Sequence, residues 1–488
     1  MFYKLVLISL AWALFGLNTL AFGQGHSTDG KFSVEQLHAD FHQLYQTLQT
    51  AHIDLYANIT NREYDLAFAN YLAQINSPMS AMQARLHFQR FVALGKVAHA
   101  KLDLPIAEFR EYRARGGVML PLFVKIDGET VYVDEVVAQQ TGAFAGYRLT
   151  HLNGQPIDFW ISAMRAMISA DNQQIANTLL EMQFPFLLWL LDGEQNNYTV
   201  TLVNGSESTV LTIATLSRSQ QDRIMAERDV TTTNTLPREA KLLTEKIAYL
   251  KPGPFYNIDD ASSDVWDNRP FISFVDNAFQ EFIKQDVKAL LIDLRDNPGG
   301  TNSFSDPMLS WFAHEPFRFA SDFIVKVSPQ AIAANQARLV DTQGDKSTSE
   351  ELAEFYQRHA VGDSFSLELP LATPREREQF TGLVFVLVDR YTYSNAVSVA
   401  AIAQDYSFAT VLGEKTADLA TTFGAMEHFT LDHSGFEVAF PKALIVRPNG
   451  DKRPDGVTPD IELSAVLERR DQDVLAEAVE HIQMQVDK

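Results

Sequence analysis

Two stretches of sequence decide the fold: ALLIDLRDNPGG, which spans Ala289–Gly300, and LVFVLVDRYTYSNA, which spans Leu383–Ala396. Each is an apolar run of buried-strand length that ends abruptly in residues suited to a tight turn. The first turn, at Gly299 and Gly300, offers free backbone N–H groups, and the second offers the hydroxyl of Ser394. An acyl-enzyme hydrolase needs a nucleophilic hydroxyl and donors for the oxyanion that its attack creates. The two stretches therefore predict neighbouring strand ends that carry these two parts.

Ser394 lies just past a predicted buried strand and begins a helix-forming run of small residues, Ala396–Ala401. A serine in such a place often only caps the helix. A helix N-terminus also favours developing negative charge, and the N–H of Asn395 would point toward it. Ser398, one turn later, is the alternative nucleophile, although it would lie inside the helix.

The base that activates the serine is expected from a distant segment, because triads assemble from parts far apart in sequence. The chain has 12 histidines. His99 stands out because it lies where a predicted helical region gives way to a predicted β-domain, and active sites often lie at domain junctions. His428 and His433, on strand-like segments after Ser394, are alternatives. Lys415 is the lysine close after the serine, and it could act as a base only with a depressed pKa.

The hydrophobic patterns predict a multidomain α/β chain, in keeping with a length of 488 residues. Hairpin turns are predicted at Asp127-Gly128 and at Asn204-Gly205. An insertion at about 301–380 shows helical patterns but no predicted core strand, which is typical of a lid or a substrate-binding element. The predicted regions are a helical region over 24–110, a β-domain over 111–220, a polar linker over 216–240, an α/β core over 240–466 that contains the insertion, and an acidic helix over 467–488.

Residues 1–23 have the pattern of an export signal. Lys4 precedes an apolar run that ends in small residues at Ala21-Phe22-Gly23, so the mature chain is expected to begin near Gln24. The alternative is an uncleaved N-terminal anchor, since the run is nearly long enough to span a bilayer. The pattern predicts a periplasmic or secreted protein with no membrane insertion after the signal is cleaved.

Composition excludes several classes of protein. The formal charge of −22 argues against nucleic acid or an anionic membrane surface as the main partner. The absence of cysteine excludes disulfides, thiolate metal sites and a cysteine nucleophile. No cofactor and no metal are implied by the sequence.

Several stretches of the chain resemble the serine peptidases that include the C-terminal-processing (tail-specific) proteases and the tricorn core protease. That resemblance implies a crotonase-like α/β core with an inserted PDZ-like domain. Residues 145–157 are similar to the "G-x-x-L-x-x-I-N-G-x-x-I" stretch of PDZ domains, which bind a peptide C-terminus by strand addition; the alternative is a small β-domain that only packs against the core. The stretches that match family landmarks are Lys246–Leu250, Ile292–Gly300, Thr392–Ala396, Val411–Thr416 and Gly456–Ile461.

The resemblance also distinguishes two mechanisms. Tail-specific members use a Ser–Lys dyad, and the place of their lysine is held here by Leu419. Tricorn-like members use a histidine from before the PDZ-like domain, and His99 occupies that place. Their serine just before this histidine is Ala98 here, and their acidic helper upstream of "G-x-x-P-D" corresponds to Asp455.

The sequence therefore predicts an exported serine peptidase that acts on a peptide or protein. The PDZ-like segment leaves recognition of the substrate through its C-terminus as an option. Ser394 would be the nucleophile, His99 the base and Asp455 the acidic helper, with an oxyanion site formed by Gly299 or Gly300 together with Asn395. One alternative is a non-catalytic protein on the same fold that binds peptides or hydrophobic ligands. Another is a crotonase-type acyl-CoA enzyme, against which the export signal and the PDZ-like segment argue.

Overall fold

The computed structural model describes residues 30–137, 144–227, 238–259, 264–340, 346–463 and 471–488. The predicted export signal over 1–23 lies outside these ranges. Within them, no helix has the length and apolar character needed to cross a membrane.

Strands and helices are numbered here in chain order. The strands are β1 (Lys31–Phe32), β2 (Met79–Ser80), β3 (Lys101–Leu102), β4 (Leu122–Asp127), β5 (Thr130–Val136), β6 (Arg148–Leu152), β7 (Gln155–Pro156), β8 (Asn197–Asn204), β9 (Glu207–Ala214), β10 (Glu239–Leu242), β11 (Ile247–Lys251), β12 (Ala289–Asp293), β13 (Asp322–Lys326), β14 (Ser364–Ser366), β15 (Leu383–Val388), β16 (Thr410–Gly413), β17 (Thr422–Thr430), β18 (Glu437–Val446) and β19 (Ile461–Glu462). The helices are α1 (Val34–Ala51), α2 (Asn61–Gln74), α3 (Ala81–Ala93), α4 (Ile106–Ala114), α5 (Ile157–Arg165), α6 (Gln173–Asp192), α7 (Arg218–Glu227), α8 (Arg269–Lys284), α9 (Asn302–Leu309), α10 (Pro329–Val340), α11 (Ser347–Arg358), α12 (Asn395–Asp405) and α13 (Asp471–Val486).

The two apolar stretches form neighbouring strands of one mostly parallel sheet, with the order β10-β11-β12-β15-β16-β19. β12 and β15 pair in parallel, and Asp293 lies opposite Leu387 at their carboxyl ends. Because parallel strands end at the same edge of a sheet, the turns that follow them meet there. The sequence prediction that these strand ends are adjacent is confirmed.

Both faces of this sheet are covered, which explains why its strands are continuously apolar. Leu290 and Ile292 of β12 belong to a core that includes Phe279 of α8 and Val397 of α12. Leu291 faces the other way, into a core closed by Ile482 of α13. The predicted C-terminal helix is thus confirmed for the described residues, and it covers one face of the sheet.

A second, antiparallel sheet has the strand order β14-β13-β18-β17, and β3 also pairs with β18. The N-terminal helices pack on it, since Phe41 of α1 and Phe88 of α3 share a core with Val438 and Phe440 of β18. Helices α10 and α11 confirm the two helical patterns of the insertion. The expectation that the insertion lacks a core strand is wrong, because β13 and β14 lie within it and β13 pairs with β18.

Strands β4, β5, β6, β8 and β9 form a third sheet, which is antiparallel and packs against α5 and α6. Both predicted hairpins are confirmed, at the β4–β5 and β8–β9 turns. The interpretation of 216–240 as a linker is wrong at its start. Helix α7 begins at Arg218, and the side chain of its Gln221 is buried against the guanidinium of Arg113. The helix also buries Ile224 in the core of the third sheet, although most of its residues are polar.

Candidate active site

The turn after β12 lies directly against the turn that carries Ser394. Gly299 has a φ of +86°, and a Cβ added to it would lie 2.8 Å from the Cβ of Ser394 and 2.7 Å from the backbone N of Asn395. Any side chain at this position would therefore collide with the serine turn. The carbonyl of Asn297 also accepts the N–H of Tyr393 at 2.9 Å, which fixes the two turns to each other. Glycine is required here for close approach as well as for φ.

The backbone N–H groups of this turn have distinct partners. The N–H of Gly299 donates to the side-chain oxygen of Asn297 at 2.9 Å. Among the described residues, the N–H groups of Gly300 and Asn395 have no hydrogen-bond acceptor. Gly300 has a φ of +138°, and its neighbour across the turn is the backbone of Phe255. The unpaired N–H of Asn395 therefore lies directly against Gly299, and that of Gly300 follows Gly299 in the same turn.

Ser394 itself has a backbone conformation that residues with a side chain rarely adopt, with φ 53° and ψ −126°. It precedes α12, but its side chain makes no capping hydrogen bond. The simple interpretation of Ser394 as a helix cap is therefore not supported by the geometry. Strain of this kind costs on the order of 1–3 kcal/mol and persists where the surrounding structure enforces it.

Asp418 is one of the contacts that hold this turn, and it was not predicted from the sequence. Its Oδ2 accepts the backbone N–H of Ser394 at 2.6 Å. Its carboxyl group is buried, and its Oδ1 has no partner among the described residues. Burial raises the pKa of Asp418 to about 7, and the Asp171 carboxylate adds to the rise, against the lowering effect of the N–H groups of Ser394 and Leu419.

His99 lies beside the same turn. Its ring stacks on the ring of Tyr393, with centroids 5.8 Å apart and planes inclined by 25°. The His99 side chain is buried, and its Nδ1 has no partner in the part of the chain that is described. Burial lowers the pKa of His99 to about 4, and the ammonium group of Lys101 lowers it further. The imidazole is therefore neutral at pH 7, which is the form that accepts a proton.

Asp171, also missed from the sequence, anchors the segment that carries His99. Its Oδ2 accepts the N–H of Ala98 at 2.9 Å. Burial raises the pKa of this carboxyl group to about 6. Asp171 immediately precedes the N-cap residue of α6, so the third sheet's domain contributes a carboxyl group to the site. In the sequence, Asp171 carries no signal beyond its place before a helix.

The other residues that the sequence suggested for the site are a surface ion pair, a buried leucine and a serine inside a helix. Asp455 and Lys415 form an ion pair of 2.6 Å at the surface, with side chains that are 56% and 37% exposed. Leu419, at the place of the dyad lysine, is buried in the apolar cluster that includes Ala98. Ser398 lies inside α12. Its backbone N–H donates to the carbonyl of Ser394 at 3.3 Å.

The remaining alternative histidines lie on the second sheet. His428 is part of β17, where burial lowers its pKa. His433 follows that strand, and its N–H donates to Asp40 of α1. This contact of His433 joins the loop after β17 to α1.

A hydrogen bond and an ion pair also join the segment before Ser394 to α6. Tyr391 donates its hydroxyl proton to Glu181 at 2.5 Å, and Arg390 forms an ion pair with the same carboxylate at 3.2 Å. Arg390 also binds Glu414 at 2.6 Å. The carboxylate of Glu181 is fully enclosed between the third sheet and the α/β core, so it fixes the position of the segment before Ser394.

In the part of the chain that the structure describes, no group of three or more His, Asp or Glu side chains converges as a metal site requires. The site consists of a serine, a neutral imidazole, two buried carboxyl groups and unpaired backbone N–H groups. This set can perform acyl transfer through a covalent serine intermediate.

Comparison with known proteins agrees with this chemistry. Residues 272–463, which include Ser394, Gly299 and Gly300, match the family described as Peptidase family S41. No curated protein matches the chain.

The structure is similar to that of mature CPAF complexed with lactacystin, with a TM-score of 0.67, 13% identity, and coverage of 93% of this chain and 98% of that one. It is also similar to mature CPAF, with a TM-score of 0.65 and 14% identity over the same shares of the two chains. At such identities the solved structures show the fold, whereas the family match covers the serine and its glycines. The segment 272–463 thus matches Peptidase family S41, and the chain is a serine-type peptidase.

Proposed function

We propose that this chain is an exported peptidase in which Ser394 forms the acyl-enzyme and His99 acts as the general base. The observation that carries the proposal is the contact of Gly299 with Ser394 and Asn395. It brings a strained serine, unpaired backbone donors and a helix N-terminus together at one sheet edge. His99 joins them through its stacking on Tyr393.

In the proposed reaction, the Oγ of Ser394 bonds to the peptide carbonyl carbon while its proton passes to the imidazole of His99. The resulting oxyanion accepts hydrogen bonds from the N–H groups of Gly300 and Asn395. The C–N bond then breaks, and the imidazolium gives its proton to the leaving amine. Water repeats the sequence on the ester and releases the acid. Gly299 contributes through its missing side chain, because its own N–H is bound to Asn297.

Asp455 stays a prediction from the resemblance. The contacts of its carboxylate are with Lys415 and the N–H of Gly456. Asp171 is the carboxyl group that directly supports the His99 segment, so we propose it as the group that positions the base.

The sequence region 111–220 is proposed to be a PDZ-like domain next to a crotonase-like core. Substrates of the family are peptides or proteins, and we propose that this domain captures a substrate C-terminus by adding it to the edge of β4. At Ile126 that edge is occupied, since its N–H donates to Glu181 and its carbonyl accepts from Arg390. Strand addition is therefore limited to the beginning of β4.

Labelling with a fluorophosphonate probe tests the proposed chemistry. Wild type should be labelled at Ser394, Ser394→Ala should not be labelled, and Ser398→Ala should be labelled as wild type is. The thermal midpoint of Ser394→Ala should stay close to that of wild type, which excludes unfolding as the cause. Labelling of Ser394→Ala at the wild-type rate would overturn the assignment, and a wild type that resists labelling would favour the non-catalytic binding protein.

Two proposals about location and substrate have separate tests. Mature protein from its native host should begin near Gln24 by mass spectrometry, and an intact Met1 in the membrane fraction would indicate an anchor instead. Peptides with a free C-terminus should be cleaved faster than the same peptides with a C-terminal amide. Equal rates would contradict C-terminal capture.

A further inference from the structure

Asp418 is a buried carboxyl group whose role the proposed chemistry does not include. It lies 24 residues after Ser394 in sequence, yet its Oδ2 accepts the Ser394 N–H at 2.6 Å. Its own loop is fixed at Thr416, whose hydroxyl donates to the Asp418 carbonyl at 2.9 Å and accepts the N–H of Val457 at 2.9 Å. The carboxyl group is thus held in place from outside the serine turn.

The hydrogen bond from Ser394 bears on how the oxyanion is bound. In a strained serine turn, the N–H of the serine is a possible oxyanion donor, but here Asp418 already occupies it. Without Asp418 this N–H would be buried and unpaired, and the turn could relax from its left-handed φ of 53°. A hydrogen bond to a charged acceptor is about twice as strong as one to a neutral acceptor. The ionised carboxylate therefore holds the turn best.

The groups that face Asp418 are few. Asp171 approaches from the loop before α6, and Tyr393 belongs to the serine turn itself. His99 stacks on the Tyr393 ring, and Lys101 acts electrostatically on His99. The unpartnered Oδ1 of Asp418 is buried in this same group. Among the described residues, the groups that stabilise the ionised Asp418 carboxylate are the backbone N–H groups of Ser394 and Leu419.

We propose that Asp418 is a positioning residue for the nucleophile: its ionised carboxylate holds the Ser394 N–H, keeps the serine turn strained, and leaves oxyanion binding to Gly300 and Asn395. This inference rests on the proposed role of Ser394. It predicts a second ionisation in the activity profile, distinct from that of His99. Burial puts the pKa of Asp418 at about 7, whereas that of His99 is about 4.

The test is the rate of inactivation by a fluorophosphonate, followed from about pH 5 to about pH 8.5. In this reaction the serine oxygen bonds to phosphorus, fluoride leaves, and the serine proton passes to the base. An Asn at position 418 resembles the protonated carboxyl group in shape and charge. Asp418→Asn should therefore react nearly as fast as wild type at about pH 5 and about tenfold more slowly at about pH 8. A purely structural defect would lower the rate by the same factor at every pH.

Asp405→Asn is the matched control. Asp405 lies at the other end of α12, where its carboxylate accepts the N–H of Asn449 at 3.1 Å and the guanidinium of Arg447 at 2.6 Å. This variant also loses a buried, hydrogen-bonded charge, but it should keep the wild-type pH profile. Thermal midpoints of both variants, measured at each pH, show whether each variant is folded at the pH where its labelling rate is compared with that of wild type.

The outcomes separate this inference from the proposed function. If wild type is labelled at Ser394 and Asp418→Asn shows the same rates as wild type at every pH, the positioning role is overturned while the peptidase assignment stands. A pH-independent loss in Asp418→Asn also overturns it, because only the structural contribution would then remain. If wild type is not labelled at Ser394, the proposed function fails, and the positioning role fails with it.

Discussion

The substitution Asp418→Asn should stabilise the folded protein at alkaline pH although it slows the reaction. The folded-state pKa of Asp418 is about 7, against an ordinary value of 3.8. The folded state holds this proton more tightly than the unfolded state does. The protonated carboxyl group therefore makes its full contribution to the free energy of unfolding below about pH 3.8. It is lost as the pH rises toward about 7. Asn is neutral throughout and escapes this loss.

The magnitude follows from the shift in pKa. Each unit corresponds to about 1.4 kcal/mol, so the ionised carboxylate lowers the free energy of unfolding by about 4 kcal/mol at pH 8. At about pH 5.5 the loss is only about 2 kcal/mol. The stability of Asp418→Asn relative to wild type should therefore rise by about 2 kcal/mol between these two pH values. Any constant effect of the new amide cancels from this difference.

Thermal midpoints of the two proteins at about pH 5.5 and about pH 8 measure the effect. For a cooperative unit of about 200 residues, about 2 kcal/mol corresponds to a shift of roughly 4–8 °C. The control variant Asp405→Asn should show no such pH-dependent gain. A difference between Asp418→Asn and wild type that is constant or shrinks from pH 5.5 to pH 8 would refute the reasoning, because it would mean that Asp418 ionises as an ordinary carboxyl group does.

Three other substitutions test separate parts of the site. His99→Ala should lower kcat by about a thousandfold or more, because loss of the base disables the nucleophile. Steady-state hydrolysis of a peptide substrate measures this loss, and activity near that of wild type would exclude His99 as the base. Gly299→Ala should abolish fluorophosphonate labelling and lower the thermal midpoint, because the new Cβ would lie 2.8 Å from the Cβ of Ser394. Normal labelling would show that the glycine turn and the serine turn leave room for a Cβ. Lys415→Ala breaks a surface ion pair that contributes less than about 1 kcal/mol to stability, and it should leave fluorophosphonate labelling unchanged. Loss of labelling with an unchanged thermal midpoint would favour a Ser–Lys mechanism.

The sequence predicted the parts of the site that depend on neighbouring strands. Two apolar runs ending in turns implied a parallel pair, and parallel strands necessarily bring Gly299 and Ser394 to one edge. The small side chains at this edge also carried a local signal, because a serine followed by small residues suits a tight turn into a helix. These features are encoded within about a dozen residues each.

The buried carboxyl groups could not be predicted in this way. Asp171 and Asp418 come from different domains, and neither lies in a distinctive local pattern. Their role depends on burial and on contacts with backbone N–H groups that only the tertiary structure creates. The error at α7 has a related cause, because the buried side of that helix combines Ile224 with a polar residue, Gln221, which bonds to Arg113. So few apolar residues resemble a solvated segment in sequence.

Leu419 and Asp418 together explain why this chain departs from a Ser–Lys arrangement. Leu419 is 4% exposed and packs in the apolar cluster that contains Ala98, so an ammonium group at this position would be removed from water. Its peptide N–H instead supports the carboxyl group of Asp418, which binds the serine backbone. A lysine base and a buried carboxylate in adjacent positions would neutralise each other as an ion pair. With leucine there, the carboxylate is left to hold the Ser394 N–H, and the proposed base comes from another segment. His99, which stacks on Tyr393 and is neutral at pH 7, is the imidazole that we propose receives the serine proton.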